Sequence, residues 1–298
     1  MTRVVIIGGS GHVGTYLVPR LVGAGFEVIN VSRGKHKPYR PHGAWSTVQT
    51  VIIDREAADT AGTFGTQIAE LQPEIVIDMI CFTLESAQQL VEGLRGQVQH
   101  LLHCGTIWIH GASAVVPTTE DAARTPFGDY GIQKSQIERY LMDQAWRHGF
   151  PVTALHPGHI VGPGWEPIGP AGNRDMAVFE KLASGQEVLL PNLGMETLHH
   201  VHADDVAQAF MQAMARRSAA VGESFHTVSS AALTLRGYAE AVAGWFGQSA
   251  NLRWLPWPEW EALQEPDDAR ATWDHSCLLY TSPSPRDLKP NRVFRVRL

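Results

Sequence analysis

Close to the N-terminus, residues 4–7 read Val-Val-Ile-Ile and run straight into Gly8-Gly9-Ser10-Gly11-His12-Val13-Gly14. A short β-branched run ending in a glycine-rich turn, with a helical apolar pattern after it, predicts a buried strand, a tight turn and a helix. Few folds accept that unit. Gly8 permits the turn, Gly11 lets an anion come up against the backbone, and Gly14 lets the helix lie close on the strand. The amides and the positive dipole end at the helix start then suit a pyrophosphate, with Ser10, His12 and Val13 completing the candidate segment. The spacing is G-x-x-G-x-x-G, not G-x-G-x-x-G.

The rest of the chain repeats the alternation. Strands are expected at 4–7, 28–31, 48–52, 75–78, 100–104 and 152–156, and helices at about 12–24, 64–71, 84–95 and 130–148. These strand runs are apolar without alternating, as strands covered on both faces are. The fold class is therefore α/β, a Rossmann-like doubly wound parallel sheet. After Pro157 the texture changes: residues 157–172 hold five glycines and four prolines. Beyond them come a helix near 174–184, strands near 187–190, 197–201 and 224–228, and helices at 203–216 and 234–246. This reads as a smaller C-terminal substrate-binding domain. Residues 1–160, with 197–217 packing back, form the dinucleotide-binding domain, and 161–196 with 218–276 form the smaller one.

Within the 298 residues no stretch approaches the roughly 20 apolar residues of a membrane helix. Three cysteines, Cys81, Cys104 and Cys277, have no paired spacing, which fits a reducing compartment and a cytoplasmic protein. Residues 277–287 match, in one frame, a translation of the transposase adapter used in sequencing-library preparation. Residues 277–298 are therefore expected to be an artefact of sequence assembly, the alternative being a Ser/Pro linker with a basic tail. That segment carries five Lys/Arg against one Asp, so the net charge of −6 becomes −10 over residues 1–276, which argues against a nucleic-acid partner.

The second strand ends in Ser32-Arg33-Gly34, where an NAD-preferring site would place Asp or Glu. A hydroxyl and a guanidinium suit a 2′-phosphate instead, favouring NADP over NAD. Asp54, after the third strand, could accept from an adenine amino group or cap a helix. Tyr130 and Lys134 stand at i and i+4 on one helical face. A lysine cation beside a phenol, with a positive nicotinamide ring, would lower the phenol from its usual pKa of ~10 toward a working acid/base. Thr106, 24 residues before Tyr130, ends a strand and offers a hydroxyl to the same substrate oxygen.

These features, with the segments Thr106-Ile107-Trp108-Ile109-His110-Gly111, 155–164 and His202-Ala203-Asp204-Asp205-Val206-Ala207, resemble the extended short-chain dehydrogenase/reductase family of NAD-dependent epimerase/dehydratases over residues 3–276. The resemblance implies that Tyr130 is the acid/base, that Lys134 lowers its pKa and holds the cofactor ribose, and that Thr106 orients the substrate oxygen. Pro157 and Gly158 would lie by the nicotinamide and His159 would face the substrate. Two departures stand out. Dehydratases of the family commonly follow the strand-end Thr with Asp-Glu, whereas Ile107 and Trp108 follow here, and His156 stands where the family often has Arg.

The expected chemistry is hydride transfer at a secondary alcohol or ketone carbon of a small molecule, a nucleotide sugar among the candidates, by a chain that could form a homodimer. The Ser32-Arg33-Gly34 ending and the Asp54-Arg55 pair also resemble an atypical branch that includes chloroplast stem-loop RNA-binding proteins. The alternative is thus a catalytically weak RNA-binding or redox-sensing relative. No metal is expected, since His199, His200 and His202 lack helical ligand spacing. Cys104 reads as strand packing, and Trp254, Trp257 and Trp260 as a hydrophobic seam or a substrate pocket.

Overall fold

The computed structural model describes residues 1–112 and 118–276; the adapter-like segment 277–298 lies outside the described residues. In chain order the first half comprises β1 (Arg3–Ile7), α1 (His12–Gly23), β2 (Glu27–Ser32), β3 (Gln49–Ile52), α2 (Arg55–Thr60), α3 (Phe64–Ala69), β4 (Ile75–Asp78), α4 (Leu84–Leu94), β5 (His100–Cys104), α5 (Gly128–His148) and β6 (Val152–Pro157). Then come β7 (His159–Val161), α6 (Ala177–Ala183), β8 (Val188–Pro191), β9 (Thr197–Leu198), β10 (His200–His202), α7 (Ala203–Ala215), α8 (Arg217–Ala220), β11 (Ser224–Thr227), β12 (Leu233–Thr234), α9 (Leu235–Trp245), β13 (Leu252–Leu255), α10 (Trp257–Glu261) and α11 (Pro266–Ser276).

Seven strands form one parallel sheet in the order β11-β6-β5-β4-β1-β2-β3. The order reverses at β1, so the C-terminal ends of β1 and β4 open a crevice where an α/β sheet binds its ligand. Helices cover both faces. On one face α1 and α7 pack Leu17, Val18, Leu21, Val206 and Phe210 against Val4 and Ile6. On the other, α3, α4 and α5 pack Phe64, Ile68, Leu90, Ile137 and Leu141 against Val5 and Ile7. Successive β1 residues thus serve opposite cores, which explains why this strand is apolar throughout. A third core, centred on Trp260, Leu190, Leu235 and Val242, belongs to the smaller C-terminal part.

Two differences from the sequence reading have physical causes. Ser224–Thr227 was grouped with the smaller part, but it pairs in parallel with β6, Phe225 opposite Leu155, and closes the edge of the large sheet. A four-residue strand with polar residues at Ser224 and His226 carries no pattern that says which sheet it joins. The short α2 escaped notice because Ala57 and Ala58 give it almost no apolar stripe; its start is set by Asp54, whose carboxylate accepts from the Ala57 amide at 3.3 Å.

At the N-terminal turn Gly8 adopts φ +84°, and a Cβ on Gly14 would stand 2.0 Å from the Gly9 carbonyl oxygen. Helix α1 can therefore approach the turn only because residue 14 has no side chain. Gly14→Ala is expected to lower unfolding free energy by about 1–3 kcal/mol, as overpacking against backbone does. Chemical denaturation measures it; an unchanged midpoint contradicts the close-contact account.

Candidate active site

The strand-end residues converge where the sheet order reverses. Gly8, Ser10 and Gly11 line a cavity of about 660 Å³ together with Ser32, Arg33, Lys35, His36, Asp54, Arg55, Ser86 and Phe82. Arg33, Lys35 and His36 are exposed at its rim, and among the described residues no ion pair engages them. The cationic run continues past the arginine that the sequence reading singled out; Lys35 and His36 were legible in Arg33-Gly34-Lys35-His36-Lys37 but were not picked out. Of the other turn candidates, Val13 points into the core and offers only its amide. His12 is stacked on Trp165 at 4.9 Å between ring centroids, with Tyr39 at 5.3 Å. Burial, with His202 nearby, pushes the His12 imidazole down to about 4, so it is neutral there. Asp54 caps α2, the second of the two roles expected for it, and it also lines the cavity.

Arg55 was not foreseen as part of the site. Its guanidinium makes two bonds to Asp78, at 2.6 and 3.0 Å, donates to Ser86 at 2.8 Å, and lies 4.6 Å over the Phe64 ring. Burial opposes the charge, yet Asp78, with Cys81 and Asp59 nearby, outweighs it and raises the pKa. The pair fastens α2 to the end of β4 beneath the cavity floor. Asp78, Cys81 and His103 also bring possible ligand atoms within 4.8 Å of one another, but Asp78 is already committed to Arg55.

The candidate proton-handling residues lie at the end of β5 and in the first turns of α5. Thr106 follows that strand, is 6% exposed, and caps a one-turn 3-10 helix at Ile107–His110 by accepting from the Trp108 amide at 3.3 Å. Tyr130 is in the first turn of α5. The residue is 43% exposed, yet its phenol group is enclosed and lies next to the Thr106 side chain. One turn on, Lys134 is 2% exposed and donates to the Cys104 carbonyl at 3.1 Å, with its ammonium 5.9 Å from the Tyr130 ring. Thr106, Tyr130 and Lys134 thus come together.

The electrostatics correct one expectation. Burial pushes the Tyr130 phenol up to about 12, opposed only by the Thr106 hydrogen bond, because Lys134 is directed to a backbone carbonyl and not to the phenol oxygen. In the chain by itself Tyr130 is therefore a firmly held acid. Burial likewise lowers the Lys134 pKa, and it raises the Cys104 thiol to about 11, which makes Cys104 packing and not a nucleophile.

Behind these residues runs a buried polar chain. The Thr106 amide donates to His156 Nδ1 at 3.0 Å, and His156 Nε2 faces Glu138 Oε1 at 3.2 Å. Since Nδ1 accepts, the ring proton is on Nε2 and His156 donates to the carboxylate. Glu138 also accepts two bonds from Arg124, at 2.9 and 2.7 Å, and one from Ser224 at 2.9 Å. Burial alone would raise the Glu138 carboxyl, but His156 and Arg124 hold it far below the usual carboxylate range. Glu138 was missed, though its place at i+4 from Lys134 on α5 was a readable signal.

Pro157 ends β6, Gly158 leads into β7, and the His159 amide donates to the His199 carbonyl at 2.8 Å. The histidine cluster is occupied structurally: His199 Nε2 meets the Ser229 carbonyl at 2.8 Å, His200 Nε2 the Ile168 carbonyl at 3.1 Å, and His202 caps α7. Trp254, Trp257 and Trp260 pack in the third core, Trp260 fully buried, so they form a seam.

Comparisons with known proteins agree with this geometry. The family model described as NAD dependent epimerase/dehydratase matches residues 4–226. The chain is 28% identical to a 2'-dehydrokanamycin reductase of Streptomyces kanamyceticus over 89% of this chain and 72% of the relative. It is 25% identical to a UDP-glucose 4-epimerase of Mycolicibacterium smegmatis, covering 82% and 83%. A chloroplast stem-loop binding protein of 41 kDa b from Arabidopsis thaliana is 23% identical over 81% of this chain and 62% of that protein. Among solved structures, the UDP-glucose 4-epimerase of Thermotoga maritima with UDP-glucose superposes with TM-score 0.69 at 20% identity, covering 90% of this chain and 88% of that one. With the glycine turn, the β5-end hydroxyl and the Tyr130/Lys134 helix in place, the chain belongs to the NAD-dependent epimerase/dehydratase family.

Proposed function

We propose that this chain is an NADP-dependent oxidoreductase that transfers hydride at a secondary alcohol or ketone carbon, with Tyr130 exchanging the proton on the substrate oxygen. The observation that carries the reading is the enclosed Tyr130 phenol, with Thr106 next to it and Lys134 one turn on. Lys134 lies 4.8 Å over the ring of Phe82, which lines the cavity that starts at the glycine turn and has Arg33 and Lys35 at its rim.

The residues present fit a dinucleotide. The amides at the start of α1 would take the pyrophosphate, and the Ser10 and Gly11 surfaces leave room for it. Ser32 and Arg33, joined by Lys35, would take a 2′-phosphate; the end of β2 itself carries Ser32-Arg33 in place of an Asp or Glu, the nearby carboxylates of the cavity coming from Asp54, Glu56 and Asp59. Pro157 and Gly158 would border the nicotinamide, and His159 would face the substrate. Lys134, with donors left after its bond to the Cys104 carbonyl, would hold the ribose. When bound, the nicotinamide supplies the hydride donor or acceptor. The rest falls to the protein: Thr106 holds the substrate oxygen, and Tyr130 gives it a proton as the carbon is reduced or takes one as it is oxidised.

With burial pushing the phenol up to about 12, Tyr130 carries its proton across the physiological range and can give it to the substrate oxygen as a ketone is reduced. A cationic ring bound alongside would lower that value and open the reverse direction. Epimerisation, by oxidation and re-reduction of one carbon, uses the same groups, so a nucleotide sugar such as those named for the relatives remains within the substrate class. An RNA-binding role gains less support: residues 1–276 carry a net charge of −10.

Tyr130→Phe is expected to reduce turnover by about 10²–10⁴, the usual worth of a general acid, while leaving the dissociation constant for NADP within about twofold. Stopped-flow NADPH oxidation and fluorescence titration measure the two, and unchanged turnover removes Tyr130 from the mechanism. Arg33→Ala is expected to weaken NADP about tenfold or more without weakening NAD, since a charge-assisted bond to the phosphate is lost. Equal effects on both cofactors refute the 2′-phosphate assignment. Because Tyr130 is raised and acts as the protonated form, the reductive rate is expected to stay level from about pH 7 to 9. A fall with a midpoint below about 9 contradicts the raised pKa in the working complex, and a rate that rises with pH over this range contradicts the acid role.

A further inference from the structure

We propose that the Phe82 ring is a gate between the dinucleotide cavity and the reacting centre, closed over the Lys134 ammonium and turned aside when the nicotinamide half of a cofactor is seated. The inference rests on the reading of Lys134 as the group that holds the ribose.

The cavity and the reacting centre meet at this ring. Past the end of β4, Ile80, Phe82 and Thr83 line the cavity, whereas Thr106, Tyr130 and Lys134 are not among its lining residues. Phe82 is 53% exposed, yet the ammonium 4.8 Å from its ring centroid belongs to a lysine that is only 2% exposed. The ring therefore stands between the cavity and the cation. Tyr130 flanks the same ammonium at 5.9 Å, and the Cys104 carbonyl accepts from it at 3.1 Å. Two aromatic rings and a carbonyl thus take the place of water around the charge.

The backbone beneath Phe82 is held at both ends. The Ile80 amide donates to the Asp78 carboxylate at 3.2 Å, and the Leu84 amide donates to Gln133 Oε1 on α5 at 3.1 Å. Thr83 caps α4 by accepting from the Ser86 amide at 3.3 Å, and Cys81 is buried. The movement left to this segment is rotation of the Phe82 side chain from one staggered position to another. Such a rotation is fast, so the gate acts on affinity and not on the rate of entry.

A cation held against an aromatic face and away from water stabilises the closed position. A ribose hydroxyl that accepts from the ammonium has to displace that contact. The apparent affinity of a whole dinucleotide is then lowered by the fraction of chains in which the gate is open. A ligand that fills the cavity and ends at the glycine turn meets no such competition.

The test is calorimetric titration of the full chain with NADP and with 2′,5′-ADP, which carries the adenosine and its phosphates but no second ribose, in wild type, Phe82→Leu and Phe82→Ala. Phe82→Ala is expected to tighten NADP about fivefold or more, the worth of a desolvated cation–π contact, while 2′,5′-ADP stays within about twofold. Phe82→Leu keeps bulk without the aromatic face and should tighten NADP by less. An NADP affinity in Phe82→Ala that is unchanged or weaker relative to 2′,5′-ADP overturns the gate and leaves the cofactor reading standing. A wild type that does not bind 2′,5′-ADP refutes the cofactor reading, and the gate falls with it. A crystal structure of wild type with NADP needs no variant to fold: a Phe82 ring turned away from Lys134 supports the gate, and a ring still over the ammonium overturns it.

Discussion

Glu138 is the carboxylate around which this site is built. It lies 5% exposed inside α5 and accepts from Arg124, His156 and Ser224. An unpaired charge at that depth would be costly, so the three donors and the elements that carry them are held as one unit. Through His156 the carboxylate fixes the Thr106 amide at the end of β5; through Ser224 it fixes the added edge strand β11. Through Arg124, which also donates to the Glu120 and Ala122 carbonyls, it ties down the approach to Tyr130. The Glu120 carboxylate in turn accepts from the His226 amide at 3.0 Å. Lys134 and Tyr130 sit on the same helix one and two turns earlier, so the phenol, the lysine and the threonine inherit their relative positions from one buried ion.

That arrangement bears on the direction of the chemistry. Tyr130 is enclosed enough to keep its proton, and the only group that eases its ionisation in the chain alone is Thr106. The lysine one turn away acts on the backbone and the cleft, not on the phenol. The free protein is thereby set as a proton donor, and the base form waits for positive charge brought by a ligand. At the far end of the cleft, the His12–Trp165 stack and Tyr39 join the loop after β2 to the loop after β7 beside the glycine turn. The Tyr39 amide donates to the Thr15 hydroxyl at 3.1 Å, which anchors the first of those loops to α1.

What could be seen in the sequence follows from the range of the interactions. The glycine turn, five of the six strand runs and the i, i+4 pair on α5 are local patterns imposed by backbone geometry and two-sided burial, so they were legible; β3, expected to be covered on both faces, is instead an edge strand with Gln49, Thr50 and Ile52 exposed. Thr106 was legible because it ends a strand. Arg55 and His156 were not, since their partners are Asp78 and Ser86 for one, and the Thr106 amide and Glu138 for the other, all distant in sequence. Only packing makes them neighbours. The share of the expected Tyr130 pKa lowering that was to come from Lys134 was not legible for a similar reason: residue spacing places Lys134 on the right face but does not say that its ammonium spends a donor on the Cys104 carbonyl. Strand β11 and helix α2 were obscured by brevity, which leaves no periodicity to read.

The central claim is that the Thr106 and Tyr130 hydroxyls together receive the oxygen of the reacting carbon. A crystal structure with NADP and an unreactive secondary alcohol tests it most directly. The account predicts the alcohol oxygen within hydrogen-bonding distance of both hydroxyls, with the adenosine phosphate against Arg33. A cofactor seated elsewhere, or a Tyr130 hydroxyl turned to solvent away from the alcohol, contradicts it.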